Sequence, residues 1–112
     1  MERNFVSTVG NYVNEFEDEI ANYTKSKRAI AVVNGTSALH IALKLSGVGE
    51  GEEVICPALT FVATANAIYH SGAKPIFIDV SETSMGLCPK SVASYLEEFA
   101  DVDENGVFLK ST

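Results

Sequence analysis

A chain of 112 residues is long enough for one domain and too short for two. Its 46% hydrophobic and 21% charged residues are ordinary globular composition, which excludes disorder along the whole length. A formal net charge of −7 argues against a nucleic-acid surface and against docking on anionic membranes. An anionic ligand is still admitted, because a few backbone amides make a local positive site on an acidic protein.

In chain order, residues 5–9 read as extended, and Gly10-Asn11 opens a helical pattern. Tyr12, Val13, Phe16, Ile20 and Tyr23 fall at three- and four-residue spacing among acidic residues, which predicts an amphipathic helix with one buried stripe. Lys25, Lys27 and Arg28 follow, where basic residues suit a helix C-terminus. Residues 29–33 are an apolar, β-branched run stopped by Asn34-Gly35, and predict a buried strand. Residues 36–45 predict a helix packed on a sheet, residues 47–51 a turn, and residues 53–56 a second strand closed by Pro57. Residues 60–69 predict a second sheet-packed helix ending near Gly72, and residues 75–80 a third strand. After a loop over 81–87, Pro89 suits a first helical position, with Val92, Tyr95, Leu96 and Phe99 on the buried side. Residues 101–106 read as a polar turn, and residues 107–109 as the start of a fourth strand.

Alternating strands and helices predict an α/β fold, with a parallel sheet and helices on both faces. Cys56 and Cys88 are too few for a disulfide scaffold and lack metal-ligand spacing, so free thiols are expected. The start Met1-Glu2-Arg3-Asn4 carries no apolar signal region, and no apolar run is long enough to span a bilayer, so the expected location is cytoplasmic. The chain also reads as incomplete: it stops as a strand begins, and buried strands need neighbours on both edges.

Two stretches carry the chemistry. In Val33-Asn34-Gly35-Thr36-Ser37-Ala38, a strand ends, a glycine turns the chain, and two hydroxyl residues open a helix. Glycine admits unusual backbone shapes and close ligand approach, and the first helical amides point outward at the positive end of the dipole, so a phosphate fits. The plainer reading is an ordinary helix start, in which Thr36 caps the amides and binds nothing. The second stretch, Pro57-Ala58-Leu59-Thr60-Phe61-Val62, follows the next strand and so falls on the same carboxyl edge, where open α/β sheets bind ligands. Phe61 is the candidate to stack on a flat ring, against the plainer alternative that it fills the core.

Together the two stretches, joined through Gly49-Glu50-Gly51-Glu52-Glu53-Val54-Ile55 and continued by Gly72-Ala73-Lys74-Pro75-Ile76-Phe77-Ile78-Asp79-Val80, resemble the DegT/DnrJ/StrS family in order and spacing. These are pyridoxal-phosphate (PLP) sugar aminotransferases of fold type I. The segment Asn4-Phe5-Val6-Ser7-Thr8-Val9-Gly10 is similar to the branch that aminates nucleotide-linked keto sugars on the way to legionaminic-type nonulosonic acids.

The resemblance implies that residues 1–112 are the N-terminal part of a large PLP-binding domain, a three-layer α/β/α sandwich on a parallel sheet. It implies PLP as cofactor, glutamate and a nucleotide-linked keto sugar as substrates, and a homodimer. Gly35, Thr36 and Ser37 would hold the cofactor phosphate, Phe61 would lie against its ring, and Ser7 and Gly10 would lie on the substrate side. The family's Schiff-base lysine and the acidic partner of the pyridine nitrogen are expected beyond Thr112. None of Lys25, Lys27, Lys44, Lys74, Lys90 or Lys110 stands in the family's catalytic-lysine context, so the chain by itself is expected to be inactive, a remnant able at most to bind PLP or dimerise.

The remaining polar residues take plainer readings. His40 and His70 sit on helices with no second ligand in sequence reach, and no metal is expected. The cluster Glu97, Glu98, Asp101, Asp103 and Glu104 reads as a solvated helix end and turn.

Overall fold

The computed structural model describes residues 10–104 and 106–110. The chain divides into two compact units, Met1–Gly35 and Thr36–Thr112. The extended stretch expected over residues 5–9, with Ser7 in it, lies outside the described residues.

The first unit holds helix α1 (Asn11–Thr24). Gly10 is extended before it, and its carbonyl accepts from the Val13 and Asn14 amides at 3.1 and 3.4 Å. The helix stops because Lys25 turns left-handed (φ 56°), which lets the Ser26 amide reach back to the Ala21 carbonyl at 3.0 Å. A left-handed non-glycine residue costs about 1–2 kcal/mol, which these closing bonds offset. The apolar stripe stands where the spacing puts it, yet it is not buried: Tyr12 and Tyr23 are 86% and 88% exposed. No described element of this unit covers it.

Residues 29–33 do not form the expected strand. A β-branched run becomes a strand only when a neighbour takes its amides and carbonyls. Here the Ala31 amide donates to the Glu17 carboxylate at 2.7 Å, and Ile30 and Val33 lie open to solvent.

The second unit is built on a parallel pair, β1 (Glu53–Pro57) and β2 (Lys74–Ile78), with Glu53 opposite Lys74, Ile55 opposite Ile76 and Pro57 opposite Ile78. Parallel strands cannot be joined by a tight turn, so the chain crosses over through α3 (Val62–His70). Helix α2 (Gly35–Leu45) precedes β1. Cys56, Ile68 and Ala73 are the buried centre, with Leu43, Val48 and Val54 packed against them. Ala67 and Ile78 complete the buried apolar set. A surface ion pair, Lys74 to Glu53 at 3.3 Å, joins the two strand starts and adds little stability at its exposure.

Helix α4 (Pro89–Phe99) begins with Pro89 in its first turn, as its missing amide permits. Its expected buried side is only partly covered: Val92 and Tyr95 are half-buried, while Leu96 and Phe99 are exposed. The following residues depart from expectation. Instead of a long polar turn and a fourth parallel strand, β3 (Ala100–Asp103) pairs antiparallel with β4 (Gly106–Leu109). The Asp103 carboxylate accepts from the Gly106 amide at 3.1 Å, and Gly106 takes φ 148°, so the turn tightens and residues 100–103 are freed to pair. Lys110 then closes the hairpin on the helix. Its amide bonds the Phe99 carbonyl at 2.8 Å, and its ammonium meets the Glu97 and Glu98 carbonyls at 2.8 and 3.0 Å. A cation on the last carbonyls of a helix also meets the negative end of its dipole.

The α/β class holds, but among the described residues the parallel sheet has two strands rather than three or four.

The turn between α3 and β2 presses on the turn before β1. Gly72 has φ 88°, and a Cβ there would sit 3.3 Å from the Glu50 amide nitrogen. Gly72→Ala is therefore expected to cost about 1–2 kcal/mol from backbone strain alone. A urea titration followed by circular dichroism should show an earlier midpoint, whereas Gly86→Ala, a glycine without positive φ, should leave it close to the parent value.

Candidate functional site

Helix α2 precedes β1 and α3 follows it, and the predicted site residues stand at the start of each helix. Helix α2 opens directly with Gly35, Thr36 and Ser37 in its first turn. Its leading amides have no partner within the helix and lie at the positive dipole end. Gly35 does not adopt the unusual backbone that its sequence context suggested; it carries no positive φ and is simply the first helical residue. A Cβ on Gly35 would meet no atom within 4 Å, so the approach to these amides is open. Thr36 is the second residue of the helix. Thr36 is exposed and Ser37 half-buried.

Phe61 is the residue just before α3, extended at φ −68° and ψ 139°. It is 80% exposed, so it does not fill the core. Its backbone carbonyl accepts from the Thr64 amide at 3.0 Å, fixing the helix entry, while the ring stands open beyond the carboxyl end of β1. Chain order carries α2 through a turn into β1.

The structure thus puts Gly35, Thr36 and Ser37 on one helical turn and Phe61 at the start of the neighbouring helix. Gly10 lies in the first unit, ahead of α1. Ser7 lies outside the described residues. A helix start with outward amides and an exposed aromatic ring are the kinds of group that suit the two ends of PLP, its phosphate and its flat pyridine. Three of the lysines are placed elsewhere. Lys110 is held by the end of α4, Lys74 lies at the amino end of β2, and Lys44 lies in the last turn of α2, away from Gly35. A depression of about 440 Å³ beside Tyr69, Gly72 and Lys74 is likewise at the amino edge.

Two features escaped the sequence reading. His40 and His70 do have each other: their ring centroids are 6.3 Å apart. Only the crossover that sets α3 beside α2 reveals this. Cys88 is the other. It stands at the N-cap of α4, and hydrogen bonds from the Ser91 hydroxyl and amide, then the Lys90 amide and charge, hold its thiol below the usual range. Cys-Pro-Lys-Ser at a helix start was the available signal. Cys56, by contrast, is buried, and burial pushes its thiol up. Both cysteines are unpaired. No described helix is long and apolar enough to cross a membrane.

Comparison with known proteins bears on this arrangement. The model of the DegT/DnrJ/EryC1/StrS aminotransferase family matches residues 1–102. A GDP-perosamine synthase of Caulobacter vibrioides is 47% identical over 79 residues, 70% of this chain and 21% of its own length. A UDP-2-acetamido-2-deoxy-3-oxo-D-glucuronate aminotransferase of Pseudomonas aeruginosa is 42% identical over 82 residues, covering 73% of this chain and 23% of its own. Among solved structures, NtdA from Bacillus subtilis with bound cofactor PMP superposes with a TM-score of 0.73 at 35% identity, over 76% of this chain and 20% of that one. The chain spans about a quarter of the length of the curated relatives it matches.

The thiol contrast is directly measurable. Iodoacetamide at neutral pH should label Cys88 well before Cys56, as read by peptide mass spectrometry. Ser91→Ala should slow Cys88 labelling by raising its thiol toward the ordinary value; equal rates in parent and variant would contradict the hydrogen-bond origin.

Proposed function

Because the chain belongs to the DegT/DnrJ/EryC1/StrS aminotransferase family, we propose that the complete polypeptide transfers an amino group from glutamate to a nucleotide-linked keto sugar, and that these residues supply part of its PLP-binding domain. The observation that carries this reading is the open first turn of α2, where Gly35 leaves the approach to the helix amides clear. The named relatives act on GDP- and UDP-linked sugars, which supports that class of acceptor. The likeness of the segment from Asn4 to Gly10 narrows the proposed acceptor to precursors of legionaminic-type nonulosonic acids. A cytoplasmic homodimer completes the proposal.

PLP, when bound, supplies an electron sink for the bonds at the substrate carbon. The residues of this chain would do the holding. The amides of the first turn of α2, with the Thr36 and Ser37 hydroxyls, would take the phosphate, and Phe61 would cover one face of the ring. Anchoring both ends fixes the ring's orientation, which is the protein's main contribution in cofactor chemistry. Ser7 and Gly10 are proposed on the substrate side.

The second reading is that these 112 residues bind PLP or phosphate without turnover. The positions of Lys110, Lys74 and Lys44 favour it.

Equilibrium binding separates the parts of the proposal. The Thr36→Ala/Ser37→Ala double variant should bind both PLP and inorganic phosphate roughly tenfold or more weakly, the size of losing charge-assisted hydrogen bonds. Phe61→Ala should weaken PLP and leave inorganic phosphate unchanged. If both variants bind PLP as the parent does, the cofactor site is wrong. Borohydride treatment of the PLP-loaded chain should leave no pyridoxyl-lysine peptide; a stoichiometric adduct would overturn the non-catalytic reading.

A further inference from the structure

We propose that His40 and His70 form a two-imidazole site for a divalent transition-metal ion, tying α2 to α3. His40 lies in the middle of α2, and His70 is the last residue of α3. Their ring centroids are 6.3 Å apart with planes at 41°. Metal–imidazole bonds of about 2.0–2.1 Å place the centroids of two rings roughly 5 Å apart on a tetrahedral ion, so the rings need to close by about 1 Å, within the reach of side-chain rotation.

A second observation comes from His40 itself. Its Nε2 is shut off from solvent and has no hydrogen-bond partner among the described residues. A buried polar nitrogen left in that state costs about 1–3 kcal/mol, which a ligand bond would relieve. His70 is exposed, so an ion can enter from its side.

Imidazole selects zinc, copper or nickel over magnesium and calcium, which prefer oxygen. No group of three or more metal-binding side chains gathers among the described residues. Water must therefore complete the coordination, which makes the site open and exchangeable rather than a closed structural centre. The net charge of −7 favours a cation in general. Ser37 and His40 are three residues apart on one helix, hence on one face, so an ion at His40 also steadies the first turn of α2. This inference does not depend on the proposed aminotransferase function.

Zinc titration of the 112-residue chain by calorimetry, in a non-coordinating buffer, tests it. One ion per chain is expected, with magnesium failing to compete. His70→Gln is the decisive variant because His70 is exposed and its loss should leave the circular dichroism spectrum unchanged. Losing one arm of a two-point contact should weaken zinc roughly a hundredfold. Zinc should also protect the exposed His70 of the parent from diethyl pyrocarbonate. Equal zinc affinity in the parent and His70→Gln, or no saturable binding by the parent, would overturn the proposal.

Discussion

Parallel pairing of β1 with β2 is the constraint on which the second unit rests. Two parallel strands must be joined by a segment long enough to return to the starting edge, and here that segment is α3. The return puts Ile68 over Cys56 and Ala73 and closes the small core. It also decides where α3 begins, just beyond the carboxyl end of β1, and so where Phe61 stands. Helix α2 precedes β1 and packs Leu43 on the same small core. The proposed phosphate turn and ring platform would therefore both be helix starts, set by chain topology before any residue is chosen for chemistry.

Much of this was legible in the sequence, for reasons that can be named. The four helices were readable because their apolar residues recur at helical spacing and end at turn glycines or a proline start. Strands β1 and β2 were readable because short β-branched runs sit between those signals. That Gly35, Thr36, Ser37 and Phe61 stand at helix starts was readable because motif order maps directly onto chain order. Spacing reports which residues share a face; it does not report what lies opposite. That is why the stripe of α1 and part of the α4 face were expected to be buried and are open.

Other departures have the same origin in missing long-range information. Residues 29–33 have strand composition, but a carboxylate fourteen positions earlier takes the Ala31 amide. The acidic residues after α4 looked like a solvated turn, yet Asp103 and Gly106 need only one tight corner to let their neighbours pair. The His40–His70 approach spans two helices and a strand, and no local pattern encodes it.

The hold of Lys110 on the end of α4 has a kinetic consequence. Helix α4, β3 and β4 are consecutive in the chain, so their contacts close only short loops. Short loops cost little entropy and form quickly, while the β1–β2 pairing must wait for its crossover. By reaching back across the hairpin to Glu97 and Glu98, the ammonium makes helix and hairpin protect one another. Residues 89–110 thus behave as a cooperative local unit, assembled early and opened together, next to a sheet that is assembled late.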